Sequence, residues 1–130
     1  MGRALRAGAA YFAVVFAFGF GFGTIRTLLV APRLGELVAV AAEAPAMLAV
    51  SWWACGWLLR RYDVAPRAGD RWAMGGLALA LLLVAEIGVS VLLAGRSVGQ
   101  HFALYGELPA QIGLAAQLLF AAMPALRRRA

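Results

Sequence analysis

The chain has 130 residues, 64% of them hydrophobic and only 14% charged, and its 12 arginines stand against 6 acids with no lysine, for a net charge of +6. Average soluble domains are roughly 45–50% apolar and about 25% charged, and small domains bury only part of their surface. A soluble enzyme core, a disordered chain and a disulfide scaffold do not fit this composition. A single cysteine, Cys55, also rules out an internal disulfide and multi-cysteine metal sites.

The first apolar run covers 7–30, behind Arg3 and Arg6, and carries Arg26 near its end. It is longer than the ~7–15 residues of a signal-peptide core, and no small-x-small cleavage site follows it, so it is expected to remain as the first helix. Residues 31–36, with Pro32 and Gly35, are predicted to form a tight turn. The second run, 37–59, contains one charge, Glu43, and an internal proline, Pro45. That proline is expected to free the carbonyl of Ala41 and to favour a kink in the helix. Residues 60–71 form a polar loop broken by Pro66 and Gly69. The third run, 72–94, again contains one charge, Glu86. The longest loop, 95–107, holds His101, Tyr105 and Glu107. The fourth run, 108–126, is uncharged and opens with Pro109, where a missing N–H costs nothing.

Each run is long enough to cross a hydrocarbon core of ~30 Å at ~1.5 Å per residue. All four are too long and too uniformly apolar for barrel strands. The expected fold is all-α, a single domain over 1–130 with four transmembrane helices in an up-down bundle. Gly35-Glu36-Leu37 and Gly106-Glu107-Leu108 hint at a repeated hairpin, although helix-start signals alone produce the same likeness.

Arginine counting sets the expected orientation. Arg3, Arg6, Arg60, Arg61, Arg67, Arg71, Arg127, Arg128 and Arg129 fall on one side, and only Arg33 and Arg96 on the other. The positive-inside rule then predicts both termini in the cytoplasm and a multi-pass inner (plasma) membrane protein. Trp52, Trp53, Trp57, Tyr62 and Trp72 cluster where an interfacial aromatic belt belongs. The expected partners are the lipid bilayer and either further copies of the chain or a larger membrane complex. The arginines sit at the ends of apolar runs without interleaved aromatics, so nucleic acid is not expected.

Charges inside the spans are the candidate functional residues, because each costs roughly 2.5–3.5 kcal/mol at a helix centre on insertion scales. Arg26, Glu43 and Glu86 lie about 6, 9 and 12 Å below the same membrane face, on the helical rise. Gln111 joins that layer, and Ser90 lies on the face of Glu86. Gly19, Gly23 and Arg26 share one face of the first helix, which small residues suit for packing against protein. Gln111, Ala115, Leu118 and Ala122 are expected to line the inward face of the fourth. Arg26 is expected to pair with Glu43, leaving Glu86 as the protonatable group for proton relay, cation binding or ligand binding. The ion pair has a purely structural reading too, as a device for fixing helix register.

His101 with one neighbouring acid is too little for a metal site. Gly19-Gly21-Gly23 lacks the preceding strand of a nucleotide fingerprint. No cofactor, metal or catalytic residue is therefore expected. Three functions compete: a proton- or cation-linked transporter or permeation protein, an accessory or assembly subunit without catalysis, and a membrane-embedded acid–base enzyme using Glu43 and Glu86. The first is favoured and the last ranks lowest.

Overall fold

The computed structural model describes residues 2–127, and every described element is helical. The basic residues Arg128 and Arg129 lie outside the described residues.

Four helices are long and apolar enough to cross a membrane. The first comprises α1 (Gly2–Ile25), a π-helical turn (Arg26–Val30) and α2 (Ala31–Leu34) in unbroken succession. The others are α3 (Glu36–Arg61), α4 (Ala68–Leu92) and α6 (Leu108–Leu126). A short helix, α5 (Val98–Ala103), precedes α6. Charges suit the helix ends: Glu36 and Asp70 sit in first turns, while Arg60 and Arg61 sit in the last turn of α3.

The predicted turn over 31–36 shrinks to one residue. Gly35, at φ 88°, is the sole non-helical residue between the first two long helices, and that conformation suits glycine. Pro32 does not end the helix. Its ring crowds the carbonyl of Leu28 and it offers no N–H. The wider π turn just before it relieves that crowding, with the Ala31 N–H bonding back to the Arg26 carbonyl.

The predicted loop over 95–107 is not irregular either. Ser97 caps α5 by accepting from the Gln100 N–H at 3.1 Å, and the Gln100 side chain accepts from the Ser97 N–H at 2.8 Å. This reciprocal pair is a capping box, readable in Ser97-x-x-Gln100.

The long helices form a four-cornered ring. α1 packs on α3 and α4, and α6 packs on the same two. Consecutive helices α3 and α4 therefore stand across a diagonal, and the link between them crosses the end of the bundle. α4 makes the closest approaches. A Cβ on Gly8 would stand 2.7 Å from the Met74 carbonyl oxygen, and one on Gly75 would collide with the carbonyl of Ala121. Small residues allow such contact between helix backbones.

The dry core gathers at the end of the bundle that carries the termini. It comprises Ala4, Ala7, Tyr11 and Val15 of α1, Ala54, Cys55, Leu58 and Leu59 of α3, Met74, Ala78 and Leu82 of α4, and Phe120 and Met123 of α6. Tyr11 stacks on Phe120 across the other diagonal, with ring centroids 4.2 Å apart. Beneath this plug Arg71 is buried, donating to the carbonyls of Ala65 at 3.2 Å, Pro124 at 3.1 Å and Arg127 at 2.5 Å. It thereby satisfies carbonyls at the C-terminus of α6, where a cation is favoured. The guanidinium of Arg127 lies over the Trp52 ring, 4.4 Å from its centroid. Outward faces stay apolar, with Leu92 83% exposed and Val84 67%, on helices long and apolar enough to cross a membrane.

Candidate functional site

The opposite half of the bundle is open. Above the Tyr11–Phe120 plug the helices enclose a cavity of about 800 Å³, within the size range of ligand pockets. All four long helices line it, and the segment after α4 contributes Arg96, His101 and Tyr105.

Four of the five residues singled out from the sequence line this cavity: Arg26, Glu43, Glu86 and Ser90. Arg26 lies in the π turn, where the altered helical pitch re-aims its side chain. Its Nη1 donates to Glu43 Oε2, as the depth argument predicted. Its Nε also stands 3.5 Å from Glu36 Oε1. The guanidinium therefore faces two carboxylates from α3. Side-chain exposure is 28% for Arg26 and 14% for Glu43, so the pair is shielded from solvent on most sides.

Glu86 takes a different partner. Gln117 Nε2 on α6 donates to Glu86 Oε1. Glu86 has no ion pair within 4 Å among the described residues. The amide oxygen of Gln117 is buried and accepts no hydrogen bond. Ser90, also buried, is held by Arg96: its hydroxyl accepts from Arg96 Nη1 at 3.2 Å, and its carbonyl accepts from the Arg96 N–H at 3.0 Å.

Gln111 is not brought to this group. It is exposed, and its Nε2 donates to the Tyr105 carbonyl at 3.1 Å. The fourth helix is phased differently from the expectation: Ala115 and Leu118 face outward, whereas Phe120, Ala121 and Pro124 are buried. Depth and phase both distinguish the two glutamines: Gln117 lies about 14 Å into its helix and Gln111 about 5 Å, against about 12 Å for Glu86, and six residues set them about 120° apart around the helix.

The glycine face of α1 also differs from expectation. Gly19 and Gly23 border the cavity, and the tight helix contact falls at Gly8. Pro45 and Ala41 are both exposed, so the carbonyl freed by that proline lies away from the polar cluster.

His101 was not expected at the site. It is only 7% exposed, held edge-on by Phe102 and Tyr105, and neither ring nitrogen has a hydrogen-bond partner. Burial, and then the nearby Glu86 carboxylate, push the Tyr105 phenol above its ordinary pKa. Altogether four carboxylates (Glu36, Glu43, Glu86 and Glu107) and two guanidinium groups (Arg26 and Arg96) border one space. Among the described residues no group of three or more His, Cys, Asp or Glu side chains gathers as a metal site.

No protein-family model matches the chain, and no curated protein or solved structure matches it either.

Proposed function

We propose that the protein moves protons or small cations across a membrane, with Glu86 as the exchanging carboxyl. One observation carries this reading: Glu86 borders the cavity without a cation of its own, while Arg26 is engaged by Glu43 and Glu36. An ionisable group inside a span is expensive, and its cost points to use. Arg26, Glu43 and Glu36 then hold the far ends of α1 and α3 together, and Gln117 orients the Glu86 carboxyl. The arginine distribution supports an inner-membrane protein with both termini in the cytoplasm, so the cavity opens toward the opposite side. Among the described residues the cavity ends at the Tyr11–Phe120 plug, and a path completed by a second copy favours a homo-oligomer.

The experiment compares wild type and Glu86→Gln in liposomes across a pH series. Glutamine keeps shape and hydrogen bonding but removes titration. Proton-linked flux should vanish in the variant while its stability in detergent persists. Full pH-dependent flux in the variant would defeat the reading.

The accessory-subunit reading rests on α1, whose Gly21 meets nothing and whose Phe18 is 45% exposed, a face suited to another membrane helix. Isolation from native membranes as a stoichiometric complex with a foreign protein would favour it. Isolation as a clean homo-oligomer would favour transport.

A further inference from the structure

We infer that the cavity binds an amphipathic organic cation: a protonated amine on an apolar body, with a hydrogen-bonding group at its other end. The inference rests on the cation-linked reading above and names the ligand class of the same site.

The amine end follows from two acceptors side by side. Glu86 offers a carboxylate whose one protein hydrogen bond comes from Gln117, and Gln117 offers a buried amide oxygen with none. A buried acceptor without a donor is costly, and a carboxylate beside it calls for positive charge. An ammonium group carries up to three N–H donors and no acceptor, so it serves both oxygens at once. An anion or a neutral acceptor serves neither. Carboxylates also outnumber guanidinium groups around the cavity, and Arg26 already faces two of them.

The apolar body follows from the apolar side chains of the cavity wall. Phe16, Phe20, Leu114 and Phe120 are among them. Aromatic faces attract cations as well as apolar surface. The volume of about 800 Å³ leaves room for considerably more than a bare metal ion.

The distal polar group follows from His101. It borders the same cavity, is more than nine-tenths buried, and has two nitrogens without partners. Phe102 and Tyr105 fix its ring by edge contacts and supply no hydrogen bond to it. Neutral imidazole carries one donor and one acceptor, which matches a hydroxyl. His101 follows α4 and Gln117 lies on α6, so such a ligand would span from the buried carboxylate toward the mouth.

The test measures binding to the purified full-length protein in detergent by calorimetry, with phenethylamine, tyramine, phenethyl alcohol and phenylacetate as probes. Phenethylamine and tyramine should bind, while the neutral and anionic analogues should bind at least about tenfold more weakly, as expected for losing a charge-assisted hydrogen bond. Tyramine should exceed phenethylamine by about fivefold, the size of one hydrogen bond. His101→Phe should abolish the preference for tyramine over phenethylamine. Glu86→Gln should remove amine binding. Equal binding of all four probes, or tighter binding of phenylacetate, would overturn the inference on the wild-type protein alone, whatever the variants do. Proton-linked flux without amine binding would overturn the inference and leave the transport reading intact. Amine binding without flux would support the inference and defeat the transport reading.

Discussion

The hydroxyl of Tyr11 donates to the carbonyl oxygen of Phe120 at 2.8 Å. That carbonyl lies four residues before Pro124, which has no N–H to give it. A residue of the first helix thus supplies the hydrogen bond that a proline removed from the last. Tyr11→Phe should cost about 1–3 kcal/mol, the penalty for a buried acceptor left alone. In a Pro124→Ala background the loss should shrink, because alanine restores the helical donor. Thermal unfolding in detergent for the four members of this cycle checks the coupling, and equal losses in both backgrounds would reject it.

Arg26 and Glu43 should behave as one unit. Arg26→Leu leaves Glu43 as an uncompensated charge in a shielded setting, worth about 3–5 kcal/mol, whereas Glu43→Leu leaves Arg26 facing Glu36 and should cost less. Replacing both should be milder than Arg26→Leu alone. Additive losses in melting experiments would count against the pair.

Glycines in this chain should divide sharply. Gly8→Ala forces a methyl group against the Met74 backbone, which has no flexible end to yield, so a loss of about 1–3 kcal/mol is expected. Gly21→Ala meets nothing and should gain about 0.5–1 kcal/mol from helix propensity. Comparing the two unfolding midpoints tests the packing of α1 on α4. Similar effects at both sites would contradict it.

Reporter fusions after Arg67 and after Ala130 should both report the cytoplasm, and fusions after Arg33 and Arg96 the opposite side, as the arginine count demands. A C-terminal fusion active only outside the cytoplasm would invert the orientation. Equal activity of both reporter types at one site would signal dual insertion.

The four long helices were legible because apolar length is a strong, local signal. Arg26 and Glu43 were legible for a similar reason: buried charges are few, and a short turn fixes their relative depth. Helix rotation was harder to read. The fourth helix carries only two polar side chains, Gln111 and Gln117, on different faces, so its composition does not mark the face that turns inward, and Gln111 was singled out while Gln117 was not. Arg71 reads in sequence as one of several interfacial arginines, yet it is buried against carbonyls of a loop and a helix end. That role depends on the diagonal placement of α3 and α4, which no local pattern records. His101 was hidden in the same way, by α5 packing back against α4.

The Tyr11–Phe120 stack joins residues more than a hundred positions apart, and this has a consequence for biosynthesis. α6 emerges from the ribosome after the other three long helices. Until it does, Glu86 lacks Gln117, Arg71 lacks the Pro124 and Arg127 carbonyls, and nothing stands opposite Tyr11. The nascent three-helix intermediate therefore has Glu86 without its α6 partner and no floor beneath it. Arrival of the fourth helix closes the floor and gives the Glu86 carboxyl its Gln117 partner in one event, so the cavity gains its base and its polar pairing at the same step of synthesis.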